Sequence, residues 1–137
     1  MTVLVDTSLL LAYAFARDSN HTAASKAVRA SSGDTRIVPA PVLTELFYMV
    51  MVRLNYERAI QVFASTRAAF EIAALTESDM VRMQAIMEQY RDARFDYTDT
   101  AIMAVSERLN VTKILTFDHR DFSIFRPRHC NFLELLP

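Results

Sequence analysis

The chain is poor in glycine and proline, with only Gly33 and four prolines in 137 residues. Phosphate-cradling loops need several glycines so that backbone amides can approach the anion. Both the dinucleotide fingerprint and the P-loop are therefore excluded. Cysteine is equally scarce. The single Cys130 excludes an internal disulfide and fits a reducing compartment. Alone it makes no thiolate metal site, so packing is its expected role. Three histidines, His21, His119 and His129, lie far apart and lack zinc-ligand spacing. The apolar run from Leu9 to Ala16 is short, follows an acid and has no basic lead-in. It reads as neither a signal peptide nor a membrane span, so the expectation is a soluble cytoplasmic protein with no membrane partner. Neither sign of charge dominates: 15 basic residues stand against 16 acidic ones. No global basic field exists to attract nucleic acid, and a polyanionic partner has to be held by local basic clusters or through metal.

What remains is a patterned chain long enough for one substantial core, and residues 1–137 are read as a single domain. Thr2 to Val5 is a β-branched apolar run closed by Asp6, and Thr7 or Ser8 is placed to cap the helix that follows. A second helix is expected from His21 to Ala30 and a short strand at Ile37–Val38. A third helix starts near Pro41 or Val42, with Glu45 in its first two turns. Asn55 caps the next helix, and Phe70 to Leu75 reads as a strand. Thr76 and Asp79 have capping-box spacing ahead of another helix. From Thr98, the residues Ile102, Val105 and Leu109 recur at helical spacing, and Lys113 to Phe117 then reads as a buried strand ended by Asp118. A last edge strand is expected from Asn131 to Leu135. Strands alternating with helices predict an α/β fold, a central parallel sheet with helices on both faces.

Four acids stand out by their places in this pattern. Asp6 and Asp118 end strands, Glu45 follows the second strand, and Asp99 lies in the first turn of a late helix. In an open parallel sheet such positions can converge at one edge. Carboxylates gathered without basic partners raise one another's pKa, so a cation is expected among them. An all-oxygen donor set suits Mg²⁺ or Mn²⁺ rather than zinc. Such a site suits phosphodiester hydrolysis. Two nearby acids are assigned elsewhere: Asp96 to capping the late helix, Asp121 to a structural or turn role.

The segments Val-Leu-Val-Asp6-Thr7-Ser8, Pro-Val-Leu-Thr-Glu45-Leu, Asp99-Thr-Ala-Ile-Met-Ala and Ile-Leu-Thr116-Phe-Asp118 together resemble the PIN domain. The nearer resemblance is to the VapC-type toxins of bacterial type II toxin–antitoxin pairs. It runs in the family's order over nearly the whole chain. It implies a Mg²⁺-dependent endoribonuclease acting on structured RNA. By the match, Asp6 and Asp99 are the principal metal ligands, with Glu45 and Asp118 contributing directly or through water. Thr7 and Thr116 fall on hydroxyl positions beside the acids and are expected to orient them. The resemblance also implies a cognate antitoxin protein and a homodimer.

Two other readings stay in view. One is a PIN-like module that binds RNA or protein without cutting, against which all four acids argue. The other is a nuclease of DNA flaps, for whose added DNA-binding elements this chain has no room. Arg120, Arg126 and Arg128 follow the last acid closely, while Arg91 and Arg94 precede Asp99. The first three are the expected RNA-phosphate contacts. The helix Val42 to Arg53 is apolar almost all round, which predicts either a partner surface or burial beneath the next helix. Phe47, Tyr48 and Met51 are its expected antitoxin contacts.

Overall fold

In the computed structural model, which describes residues 1–137, five strands form one all-parallel sheet. They are β1 (Thr2–Val5), β2 (Thr35–Pro39), β3 (Glu71–Ala73), β4 (Lys113–Leu115) and β5 (Glu134–Leu136), in spatial order β3-β2-β1-β4-β5. Between them run helices α1 (Thr7–Ala14), α2 (His21–Ala30), α3 (Ala40–Arg53), α4 (Tyr56–Ala69), α5 (Glu77–Gln89), α6 (Tyr97–Arg108) and α7 (Arg120–Ile124). The connections run outward from β1 through β2 to β3, then jump back to β4 on the other side of β1. Right-handed crossovers put helices on opposite faces for the two directions. β1 and β4 thus flank the point where strand order reverses, with Val5 opposite Leu115. Crevices at that point, outside the carboxyl ends of the strands, are where such sheets bind ligands.

The central strands read as apolar runs because they are covered on both sides. Val3, Leu4, Val5, Ile114 and Leu115 are all buried, packed with Leu9, Leu46, Ile102 and Phe122. Helix α5 starts at the expected capping box, in which Thr76 and Asp79 exchange hydrogen bonds. Side-chain pairs between α5 and α6 then fix the late helix. Arg82 makes a forked pair with Glu107 at 2.6 and 3.1 Å, and Arg108 binds Asp79 at 2.8 Å. Planar guanidinium–carboxylate forks of this kind hold orientation as well as charge.

Several boundaries move from their expected places. Asp6, rather than Thr7 or Ser8, is the cap residue of α1, because its own carboxylate accepts the Thr7 amide. The short α7 carries too little apolar periodicity to be seen in the sequence. The third helix is not apolar all round in effect, since α4 folds back along it. Val42, Leu46 and Val50 face the core, and Phe47 sits edge-on to both Tyr56 and Phe63. Met51 also packs against the core cluster, whereas Tyr48 is exposed. The expected contacts on this helix therefore separate: Phe47 and Met51 serve packing, and Tyr48 alone is presented to solvent.

Candidate functional site

The site starts at the switch point. The Asp6 amide extends the β1–β4 ladder by donating to Leu115 O at 3.0 Å. This brings Asp6 beside Thr116, whose hydroxyl donates to Asp6 Oδ2 at 2.8 Å. Ser8 donates to the same oxygen at 3.1 Å, and the Thr7 amide donates to Oδ1 at 2.7 Å. Ser8 Oγ also accepts the Phe117 amide at 3.0 Å and lies 3.1 Å from Thr116 Oγ1. Both Asp6 oxygens are thereby fixed in orientation. Thr7 and Thr116 were the expected orienting hydroxyls; Thr116 reaches Asp6, but Thr7 Oγ1 is buried without a partner. Ser8 takes that role, because it is the hydroxyl that the first turn of α1 brings over the carboxylate.

Helix α6 supplies the next acid. Asp96 caps it, accepting the Asp99 amide at 2.8 Å, as the capping assignment requires. Asp99 follows in the first turn and is buried. Carboxylate oxygens of Asp99, Asp118 and Asp121 all lie within 4.8 Å of one another. Asp121, read from sequence as a turn residue, thus stands beside two of the four acids. It does so because α7 turns the chain back immediately after β4. On the other side, Glu45 Oε2 accepts from the Thr98 hydroxyl at 3.3 Å, which ties α3 to the start of α6.

Electrostatics link the group into one unit. Burial pushes the Asp99 carboxyl up to about 9, helped by the charges of Asp96 and Asp6, a hydrogen bond with Asp121 and the charge of Asp118. Burial also raises Asp6, against the hydrogen bonds from Thr116, Thr7 and Ser8 and with the charge of Glu45. Asp99 thus interacts with Asp6 and Asp118, and Asp6 in turn with Glu45. The one salt bridge to the cluster comes from the exposed Arg120, 3.0 Å from Asp121. Two buried carboxylates, Asp6 and Asp99, beside the more open Asp118 and Asp121, with so little positive charge opposing them, form a site for a cation, and the oxygen-only donors suit a hard one. No histidine or cysteine joins them.

The expected phosphate contacts divide in position. Arg120 adjoins the cluster through Asp121. Arg126 turns its guanidinium onto the carbonyls of Ser123 and Phe125, just after α7. Arg128 is displaced: its amide binds Glu107 at 2.8 Å. Glu107 lies eight residues beyond Asp99 on α6, roughly 12 Å along the axis. Sequence proximity to Asp118 hid this separation.

A family model for the PIN domain matches residues 3–126. The chain belongs to the PIN domain family. This PIN domain is 32% identical over 126 residues to ribonuclease VapC26 of Mycobacterium tuberculosis, covering 91% of this chain and 93% of that protein. Its fold is similar to that of M. tuberculosis VapC20, described as a sarcin–ricin loop cleaving toxin. The TM-score is 0.82 at 23% identity, over 98% of this chain and 99% of that one. VapBC2 from Rickettsia felis, solved bound to a DNA fragment from its promoter, gives a TM-score of 0.76 at 14% identity, over 98% and 97% of the chains. Identities this low carry the shared fold. In this PIN domain no helix is long and apolar enough to cross a membrane.

Proposed function

We infer that this PIN domain is a divalent-metal-dependent endoribonuclease and the toxin of a type II toxin–antitoxin pair, cutting structured RNA. The observation that carries the reading is the carboxylate cluster at the switch point, in which the buried Asp99, raised to about 9, meets the half-buried Asp121 and the exposed Asp118. The identity to a curated ribonuclease supports it. Asp99, Asp118 and Asp121 would hold a Mg²⁺ or Mn²⁺ ion together with Asp6, and Glu45 would act from the flank, directly or through water. Bound there, the ion would supply a nucleophilic hydroxide and stabilise charge on the leaving oxygen. The protein's own contribution is orientation. Ser8, Thr116 and the Thr7 amide hold the Asp6 carboxylate in place, and the start of α6 presents Asp99 rigidly. Arg120 and Arg126 would position phosphates without reading bases.

The test is cleavage of RNA and DNA oligonucleotides with Mg²⁺, with Mn²⁺ and with EDTA. The reading expects RNA cut only when metal is present. RNA binding should weaken with salt, less steeply once Arg120 and Arg126 are neutralised together. Metal-independent cutting, or a preference for DNA, would refute the assignment.

The antitoxin would dock on the α3–α4 hairpin. Its tip presents Val52, Leu54, Tyr56 and Ile60, all exposed, above the Phe47–Phe63 pair. An apolar row of this kind suits an amphipathic helix with anchors at helical spacing. Ile60→Glu should weaken antitoxin binding by at least about tenfold, the cost of a desolvated charge in an apolar contact. The isolated protein should stay folded and active. Met51→Glu, by contrast, should destabilise the fold itself. Wild-type affinity in Ile60→Glu, measured by calorimetry, would place the partner elsewhere. A homodimer is the expected state of the toxin, and a monomer mass by sedimentation would contradict it.

A further inference from the structure

A cleft of about 730 Å³ lies next to the acid cluster, and the reading above leaves it without a role. Its walls come from the start of α3, the segment after β3 and the first turn of α6. Two tyrosines line it, Tyr48 and Tyr97, with 62% and 51% of their surfaces exposed. Glu45 and Thr98 form the border it shares with the acid cluster, and they are joined by the hydrogen bond already described. Tyr97 precedes Asp99 by two residues on α6, roughly 3 Å of axial rise. The size is that of a small-molecule pocket, which typically spans about 300–1,000 Å³.

The chemistry of the lining narrows the occupant. Neither lysine nor arginine is among the lining residues, and Glu45 is the one acid, so a phosphate would be repelled. Large exposed rings with few polar atoms instead match the face of a nucleobase. Proteins hold unpaired bases by stacking them on aromatic side chains and reading their edges by hydrogen bonds. Glu45 and Thr98 supply such an edge, and a carboxylate accepts from an exocyclic amine. A bulky apolar protein segment fits this cleft less well than the α3–α4 hairpin, which exposes a longer set of apolar side chains, Val52, Leu54, Tyr56, Ile60 and Phe63.

We propose that this cleft is a base-binding subsite, in which a nucleotide next to the cut phosphodiester unstacks and lays its base against Tyr97 and Tyr48. The proposal rests on the ribonuclease reading and adds the requirement that the substrate be unpaired at that nucleotide.

The test begins by mapping the bond that the wild-type protein cuts in a stem-loop RNA with Mg²⁺ or Mn²⁺. Abasic sites are then placed one at a time at the flanking nucleotides. One position should lower cleavage roughly ten- to a hundredfold, the range that single base–aromatic stacks give. Tyr97→Ala and Tyr48→Ala should each cause a loss on intact RNA and little further loss on RNA abasic at that position. Tyr97→Phe keeps the ring and should retain most of the activity. Mn²⁺ binding by calorimetry and thermal melting, both unchanged in the alanine variants, separate base binding from damage to the fold. Equal losses on intact and abasic RNA, or none, would overturn the subsite. So would variants that cut RNA normally but lose the antitoxin, since the cleft would then be a protein-docking site. If the wild-type protein cuts no RNA, the ribonuclease reading fails first, and this proposal falls with it.

Discussion

Asp99→Asn should abolish metal-dependent cleavage while leaving the fold intact. The amide is nearly isosteric with the carboxylate, so packing around the start of α6 is preserved, but a ligand charge is lost. Residues that merely support a metal ligand typically cost about 10–100-fold in activity or affinity when replaced. A direct ligand at the centre of the cluster should cost more than about a hundredfold. Asp96→Asn is the matched control. Asparagine caps helices about as well as aspartate, so this variant keeps the Asp99 amide satisfied and should cut within a few fold of wild type. Single-turnover cleavage with Mg²⁺, alongside calorimetric Mn²⁺ titration, reads both effects. Near-wild-type cleavage by Asp99→Asn would remove the carboxylate cluster from the reaction.

The second large effect is on stability and needs no substrate. In the metal-free protein, stability should fall as pH rises between about 5 and 9. The sign follows from Asp99, whose carboxyl is raised from 3.8 to about 9 by burial and the neighbouring acids. Across that window the folded protein holds a proton that the unfolded chain has released. Raising the pH therefore favours unfolding, with a slope that can approach about 1.4 kcal/mol per pH unit for one proton. The raised Asp6 acts in the same direction. The paired carboxylates Asp79 and Glu107 are lowered instead, by Arg108 and Arg82 acting against burial. Their stabilisation is lost only at acid pH, below the window. Asp99→Asn should flatten the slope and be the more stable protein at pH 8.5, by more than about 1 kcal/mol. Excess Mn²⁺ should flatten the wild-type slope too, because a ligand bound only by the folded state adds stability. Urea unfolding in EDTA at three pH values measures this, and a flat or rising wild-type profile would contradict it.

How far the sequence could be read varied with the kind of interaction involved. Asp6, Glu45, Asp99 and Asp118 were legible because each stands at a strand end or helix start, and a parallel sheet brings those positions to one edge. Asp121 was not, since α7 is a five-residue helix whose direction depends on how Phe122 packs into the core. Ser8 and Thr7 are adjacent hydroxyls, and only the turn of α1 decides which one reaches Asp6. The apolar circumference of α3 was visible, but its cover was not, because the Phe47 contacts with Tyr56 and Phe63 are tertiary. Arg128 illustrates the limit of sequence proximity: the chain leaves α7 along α6 and carries it to the far end of that helix.

The hydrogen bond from Thr116 to Asp6 joins residues 110 positions apart, and this has a consequence for the order in which the molecule is made. β1 leaves the ribosome before β4, yet stays unpaired on that side until Leu115 has followed. Contacts of such long sequence separation form late, because loop closure has to come before any gain. Helices α1 to α5 can form and pair earlier, but Asp6 then has neither Thr116 to orient it nor Asp99 and Asp118 beside it. The carboxylate cluster is therefore incomplete in a nascent chain until β4 and α7 have been synthesised. That delay lets the α3–α4 hairpin form before the carboxylates assemble.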